Sequence, residues 1–293
     1  MIGQHNGGYT ISRPDGRQIT YREIGKHHGT PILAFHGTPG SGLKFAHAQL
    51  AAVKRNQRLI SIDRWGYGGT DAHKAPSLHA FADDIEALLD SLGLEQASVI
   101  GVSGGAPYAT AVAAAFGPRI QRLALVAPVG EVVHPELSWR DLRPLHAFCF
   151  RILPRIPGAV RLVFELFRVI SRRMPSTAAM ISTACAAPSD KHLMRQPALR
   201  QSLGKMFADG LRRGTAGAVI DMRIFCRPWD ISPTKIKCPT KLWIGSADRN
   251  IPIVAAKQLA RDIPAAKCEL LDGEGHFWIV QNFDAVLAWL DEP

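Results

Sequence analysis

The stretch Gly101-Val102-Ser103-Gly104-Gly105 directly follows the apolar run Ala97-Ser98-Val99-Ile100. A strand that ends in Gly-x-Ser-x-Gly and continues as a helix is typical of a nucleophile elbow, a sharp turn that exposes a serine hydroxyl above a sheet. Side chains two residues either side of Ser103 would collide in such a turn, which explains the glycines at 101 and 105. The pattern alone also occurs in glycine-rich connectors, so its interpretation depends on the rest of the chain.

Short apolar segments alternate with helical segments on both sides of this motif. This alternation predicts an α/β fold with a mostly parallel central sheet and helices on both faces. At the N-terminus, two alternating runs flank Pro14-Asp15-Gly16 and predict a hairpin. The predicted strands are 9–12, 18–21, 31–35, 58–62, 98–102, 123–127, 240–244 and 267–271, and the predicted helices are 44–53, 80–92, 106–116, 254–262 and 278–290.

The alternation stops after Pro128 and resumes at Thr240. Residues 131–233 contain helical stretches interrupted by prolines and no clear buried strand. We therefore predict a core domain formed by residues 1–130 and 234–293, with residues 131–233 inserted as a helical domain. Within the insertion, the segment Gly158–Arg173 predicts a helix with an unusually wide apolar face.

The composition is that of an ordinary globular protein, with a net charge of +10. Residues 131–232 carry 16 Lys and Arg against 8 Asp and Glu. This excess favours a solvated basic face, and it is also compatible with an anionic substrate, an acidic partner or an anionic membrane surface. Basic residues do not alternate with aromatic ones, which argues against nucleic-acid binding.

Five scattered cysteines without CxxC spacing suggest neither a zinc site nor a disulfide framework. Together with an N-terminus that lacks a secretory pattern, they favour a cytoplasmic protein. No apolar stretch reaches the roughly 18–20 residues of a membrane span, so no integral membrane association is expected. We expect no metal and no cofactor, and the sequence leaves the oligomeric state open.

A serine hydroxyl needs a base and an orienting acid to act as a nucleophile at neutral pH. His276 lies between a predicted strand and the last helix, beside two glycines that allow the loop to fold tightly. Asp248 follows the strand 240–244, at the sheet edge where catalytic groups of open α/β sheets gather. We predict Ser103, His276 and Asp248 as nucleophile, base and acid. Glu131 is the alternative acid.

An acyl-transfer site also needs two donors for the developing oxyanion. The backbone N–H of Gly104, next to the serine, is one candidate. The loop His36-Gly37-Thr38-Pro39-Gly40 follows the strand 31–35, and its candidate donor is the N–H of Thr38, because Pro39 has none.

These motifs, in this order along the chain, resemble the α/β-hydrolase superfamily. The resemblance also includes Asp63-Arg64-Trp65-Gly66-Tyr67-Gly68-Gly69-Thr70, where Asp63 and Arg64 look like a structural turn that braces the oxyanion loop. It implies that residues 131–233 form the family's lid. Haloalkane dehalogenases and epoxide hydrolases of the superfamily carry aspartate at the elbow, where this chain has Ser103, which argues against those reactions.

We expect a small acyl substrate, apolar or anionic, and a pocket between the lid and the elbow. Its candidate lining residues are His36, Val102, Phe164, Phe167 and Phe277. The alternatives are that His36 is a buried structural residue and that the Gly158–Arg173 helix only packs against the main domain.

The predicted activity is hydrolysis of a carboxylic ester through an acyl-enzyme. Three alternatives stay open: a prolyl aminopeptidase-like enzyme, a C–C hydrolase or perhydrolase using the same three residues, and a hydrolase-fold receptor with little turnover. Prolyl aminopeptidases usually have tryptophan where this chain has Gly104, and they use acidic lid residues, whereas this lid is basic.

Overall fold

The central strand β6 (Ala97–Val102) ends at the predicted elbow, and all six of its residues are buried. The computed structural model describes residues 2–5 and 8–292, with side chains from residue 8 onward. Parallel neighbours β4 (Thr30–Phe35) and β7 (Ile120–Val126) flank β6 on either side. A strand in this position is covered on both faces by helices, which is why its sequence is continuously apolar rather than alternating.

Within the described residues, nine strands form one sheet in the order β1-β2-β3-β5-β4-β6-β7-β8-β9. Strands β4 to β9 run parallel, and β1 to β3 add antiparallel strands at one edge. The structure thus confirms the predicted fold class and the N-terminal hairpin. The remaining strands are β1 (Ile2–His5), β2 (Gly8–Ser12), β3 (Gln18–Gly25), β5 (Gln57–Ile62), β8 (Thr240–Gly245) and β9 (Lys267–Leu271).

Alternate residues of each inner strand supply two separate hydrophobic layers, because successive side chains point to opposite faces of a sheet. In β4, Leu33 and Phe35 join one layer, while Ile32 and Ala34 join the other. The first layer packs against α2 and α3, and the second packs against α1 and α11.

Eleven α-helices lie within the described residues 8–292. Residues 42–48 form a 3₁₀ segment that precedes α1, where the sequence predicted one continuous helix over 44–53. The helices are α1 (Gln49–Lys54), α2 (Leu78–Ser91), α3 (Ala106–Phe116), α4 (Pro144–Ala147), α5 (Ala159–Arg173), α6 (Pro175–Ser182), α7 (Pro188–Leu193), α8 (Pro197–Gly210), α9 (Ala216–Phe225), α10 (Ile253–Asp262) and α11 (Ile279–Leu290). Across the described residues, none of them is both long and apolar enough to span a membrane.

Residues 131–233, all of them described, contain helices and no strand. Helices α6, α7 and α8 share a hydrophobic cluster that also takes in Phe277, next to the predicted catalytic histidine. Helix α9 packs instead into the main cluster of the sheet through Ile220, Ile224 and Phe225. Residues 131–233 therefore contact the rest of the protein in two places. Helices α6, α7 and α8 pack against the histidine loop, and α9 packs against the sheet.

Candidate active site

Ser103 lies at the end of β6 with a φ of +55°, in the left-handed region that non-glycine residues seldom adopt. The neighbouring glycines are required sterically. A Cβ on Gly101 would lie 2.6 Å from the Cβ of Ala109, and a Cβ on Gly105 would lie 2.2 Å from the carbonyl oxygen of Phe35. The strand and helix thus approach too closely for any side chain at these two positions. A strained turn of this kind is typical of functional sites.

His276 and Asp248 are brought together from two loops at the carboxyl edge of the sheet. The Nδ1 atom of His276 lies 2.8 Å from Oδ2 of Asp248, which is fully buried. The other carboxylate oxygen accepts a hydrogen bond from the backbone N–H of Asn250 at 2.7 Å. With Nδ1–H donating to the carboxylate, Nε2 is the ring atom left to accept a proton.

Glu131, the alternative acid, accepts a hydrogen bond from the backbone N–H of Trp229 at 3.1 Å. Burial raises the pKa of its carboxyl, an effect that this hydrogen bond partly offsets. The imidazole of His276 therefore contacts Asp248, and Glu131 instead contacts the segment after α9.

Asp190, on α7, holds the histidine loop and was missed by sequence reasoning. Its carboxylate is fully buried and accepts hydrogen bonds from the backbone N–H groups of His276 at 2.9 Å and Phe277 at 2.8 Å. A Cβ on Gly275 would lie 2.2 Å from the same carboxylate, which explains one of the loop glycines. No sequence motif marks Asp190, because its partners lie 86 and 87 residues away.

The two candidate oxyanion donors belong to loops in direct contact. A Cβ on Gly104 would lie 2.2 Å from Oγ1 of Thr38, so the two residues approach closely. Arg64 supports the Thr38 loop, since its guanidinium donates to the carbonyl oxygens of His36 at 2.9 Å and Gly37 at 3.1 Å. This is the bracing that the resemblance implied for Arg64.

Behind the Thr38 loop, Asp221 of α9 is the centre of a buried polar network. Its carboxylate accepts hydrogen bonds from the hydroxyl groups of Tyr67 at 2.7 Å and Tyr108 at 2.6 Å, from the Thr38 hydroxyl, and from Arg64. Burial, and then the charge of Asp221, raise the pKa values of both tyrosines well above the ordinary range. Asp221 thus links the inserted segment to the oxyanion loop, which the sequence did not indicate.

Ser103 and His276 line one cavity of about 150 Å³. Two of the five candidate pocket residues, Val102 and Phe277, line it with them. Its walls come from both parts of the chain, and the other lining residues are Gly37, Thr38, Pro39, Lys44, Ser182, Leu203, Met206, Phe207 and Asn250.

The structure places the other three pocket candidates away from this cavity. His36 is fully buried, with Nε2 accepting from the backbone N–H of Arg64 at 3.1 Å, and burial keeps its pKa well below the ordinary value. Phe164 packs toward the main hydrophobic cluster. Phe167 contacts Phe207 edge-on at 5.2 Å between ring centroids, behind the cavity wall. The apolar α5 side chains Phe164 and Phe167 therefore serve packing, and His36 is a buried structural residue.

A larger groove of about 870 Å³ lies between α5 and α9, with arginines at its rim. None of Ser103, Asp248 and His276 lines it, so its size does not make it the reaction site. Among the described residues, no three His, Cys, Asp or Glu side chains are grouped as a metal site would require.

Part of the chain matches a known protein family. Residues 30–148 match the family described as the alpha/beta hydrolase fold. A non-heme chloroperoxidase from Streptomyces lividans is 32% identical over 47% of this chain and 51% of that protein, so the match spans about half of each. A poly(3-hydroxyalkanoate) depolymerase from Ectopseudomonas oleovorans is 27% identical over 89% of this chain and 83% of its own length.

The fold is shared over nearly the whole chain. An alpha/beta hydrolase fold protein from Nakamurella multipartita superposes with a TM-score of 0.71 and 24% identity, covering 97% of this chain and 98% of that one. The strand order, the elbow and the match over residues 30–148 agree with one another, and the protein therefore has the alpha/beta hydrolase fold.

Proposed function

We propose that the protein is a serine hydrolase that cleaves a carboxylic ester through an acyl-enzyme. The observation that carries this proposal is the 2.8 Å contact between His276 Nδ1 and Asp248 Oδ2, with Ser103 and His276 facing one cavity. Ser103 is the proposed nucleophile, His276 the base and Asp248 the acid that fixes the imidazole tautomer.

In the first half-reaction, Ser103 Oγ attacks the acyl carbonyl carbon while His276 Nε2 takes the hydroxyl proton. The carbonyl oxygen becomes an oxyanion, which the N–H groups of Thr38 and Gly104 stabilise. When the tetrahedral intermediate collapses, the bond to the alcohol oxygen breaks and His276 returns the proton to the leaving alcohol.

In the second half-reaction, water attacks the serine ester and gives its proton to His276. Collapse of this intermediate releases the acid, and the proton returns to Ser103. A single missing oxyanion donor typically costs about 10²–10³ in rate, so the N–H group of Thr38 contributes substantially to turnover.

The cavity supports a small acyl group. Its volume of about 150 Å³ is below the roughly 300–1,000 Å³ of sites for drug-sized ligands. We infer that residues 131–233 act as the lid of this site, since Leu203, Met206 and Phe207 of α8 line the cavity. Five unpaired cysteines support the expected cytoplasmic location.

The test is labelling with a fluorophosphonate probe, comparing the wild type with Ser103→Ala, followed by hydrolysis of p-nitrophenyl esters from acetate to decanoate. We expect labelling that is lost in the variant, and turnover that declines with longer acyl chains because of the small cavity. Labelling without ester turnover would favour a peptidase, a C–C hydrolase or a receptor. Ester turnover that survives Ser103→Ala would exclude the proposed mechanism.

A further inference from the structure

Lys44 is a buried cation inside the proposed reaction cavity. It lies in the 3₁₀ segment Gly42–Ala48, which follows the Thr38 loop, and only 7% of the residue is exposed. Its side chain lines the cavity together with Ser103 and His276. Lysines are almost never so deeply buried unless they are paired, so this position requires an explanation.

Among the residues that the structure describes, the ammonium group has no direct anionic partner. Within residues 8–292, no carboxylate oxygen lies within 4.0 Å of Nζ, and the ring centroid of Phe277 is 5.5 Å away. The acid that acts on it electrostatically is Asp190. Both oxygens of that carboxylate, however, are already bound to the backbone N–H groups of His276 and Phe277.

Apart from Lys44 and His276, the residues that line the cavity have apolar or uncharged polar side chains. Leu203, Met206 and Phe207 cover one side, and neither Asp nor Glu is among its described lining residues. An anion that enters the cavity thus meets one cation and no carboxylate. A charged hydrogen bond formed in such surroundings is stronger than one in water.

We propose that Lys44 binds a carboxylate group of the substrate, so that the preferred esters carry a negative charge on the acyl side, a few atoms from the scissile carbonyl. This inference rests on the proposed function, and it names the substrate class of that same site. The net charge of +10 fits an anionic substrate as well, because it favours the approach of anions.

Carboxylate binding should weaken at alkaline pH. Burial lowers the pKa of Lys44 to about 8, although Asp190 acts in the opposite direction. The ammonium form therefore predominates at pH 7 and is lost as the pH rises through 8. The other titratable groups near Lys44 are His47 on its own segment, whose pKa is lowered by burial and by Lys44, and His276 across the cavity. Asp190 faces it from α7, and α8 presents apolar side chains to the cavity.

Direct binding is tested with glutarate, a short dicarboxylate, by calorimetric titration of the full chain carrying Ser103→Ala. We expect glutarate to bind at pH 7, and Lys44→Met to weaken binding by about tenfold to a hundredfold, as befits one charged hydrogen bond. Lys205→Met, on the exposed side of α8, is the matched control and should change affinity by less than about twofold. Equal glutarate affinity in Lys44→Met and Lys205→Met would overturn the inference.

Selectivity is tested with two p-nitrophenyl esters of equal acyl length, the valerate and the glutarate monoester. The ratio of kcat/KM for the anionic ester to that for the neutral ester should exceed one in the wild type. It should fall about tenfold or more in Lys44→Met and in a second variant, Lys44→Gln. An unchanged ratio with normal labelling of Ser103 would overturn the role of Lys44 and leave the proposed function intact.

The two proposals fail in distinguishable ways. Glutarate binding that depends on Lys44, without hydrolysis of either ester, would support the carboxylate site and reject the ester chemistry. If Lys44 had only a structural role, its replacement would lower Tm and would reduce the turnover of both esters equally. That result, in Lys44→Met and Lys44→Gln alike, would overturn the inference.

Discussion

Asp248 has one carboxylate oxygen on the His276 ring and the other on the backbone N–H of Asn250, with no exposure to solvent. Replacing it with asparagine preserves the shape but places an amide group opposite Nδ1, which favours the wrong imidazole tautomer. We expect Asp248→Asn to lower kcat by about 10⁴-fold. Steady-state kinetics on the best p-nitrophenyl ester measures this effect.

Glu131→Gln is the control for that prediction, because Glu131 bonds to the backbone of Trp229 and not to the imidazole. Its kcat should stay within about threefold of the wild type, as for substitutions away from the reacting groups. If Glu131→Gln is the variant that loses turnover, the acid has been assigned to the wrong residue.

The positions of several residues could be predicted because they depend on local features of the chain. The glycines around Ser103 follow from the collision of strand and helix, and the structure gives that collision as 2.2 Å for a Cβ at Gly105. The positions of Asp248 and His276 follow from strand ends that parallel connections bring to one edge. Lys44 had no such local sign, because a lysine in a short helical segment ordinarily points to solvent.

At the scale of elements, α7 holds the histidine loop through Asp190. We expect Asp190→Asn to lower kcat by about tenfold to a hundredfold, because one backbone N–H of the histidine loop would face an amide NH₂. KM should change less than kcat, since the effect is on the placement of His276. Kinetics on a neutral ester, together with Tm, measures both consequences.

Ser189→Ala is the matched control on the same helix, since the Ser189 hydroxyl makes an exposed bond of 3.2 Å to the carbonyl of Gly273. It should leave kcat within about twofold, as expected for an exposed hydrogen bond. Equal losses in Asp190→Asn and Ser189→Ala would mean that α7 has no specific positioning role.

Helix α5 shows what periodicity can and cannot predict. The sequence correctly indicated a helix over this segment, with a wide apolar face. Periodicity tells which side chains share a face, but not which neighbour that face meets. In the structure, Leu162 and Leu166 are exposed at 61% and 59%, whereas Phe164 and Phe167 pack against hydrophobic clusters without lining the cavity.

At the scale of the whole molecule, Asp221 connects α9 to the oxyanion loop and to α3. Asp221→Asn would leave the buried Arg64 without its counter-charge. We expect a loss of about 3–5 kcal/mol in the free energy of unfolding, which is the usual cost of breaking a buried ion pair. Urea denaturation measures it.

Tyr67→Phe removes one neutral donor from the same carboxylate and should cost about 1 kcal/mol. The difference in the free energy of unfolding between Asp221→Asn and Tyr67→Phe separates the effect of the charge from the loss of one hydrogen bond. A similar small loss in both would show that Asp221 contributes little to holding α9 against the loop.

The depressed pKa of Lys44 also makes a prediction for global stability. Between its native pKa of about 8 and its ordinary value of 10.5, this lysine binds more protons in the unfolded chain than in the folded one, so its own contribution to stability rises with pH across this window. Lys44→Met removes the penalty of the buried charge. Its free energy of unfolding at pH 7 should exceed that of the wild type by about 1–3 kcal/mol.

The advantage of Lys44→Met should shrink as the pH rises from 8 to 10, which urea titrations at pH 7, 8.5 and 10 can follow. Lys205→Met, with its exposed ammonium, should show no such trend. A constant difference between Lys44→Met and wild type at all three pH values would contradict the assignment of a buried, charged lysine.

The sequence by itself determined the α/β fold, the elbow at Ser103 and the loops that carry Asp248 and His276. All of these depend on local rules: apolar runs form buried strands, glycines permit tight turns, and parallel strands end at one edge. The tertiary structure alone decided the contacts of Asp190, Asp221 and Lys44. The groups around them are far away along the chain, and only the packing of residues 131–233 against the sheet removes these charges from water and determines what each one contacts.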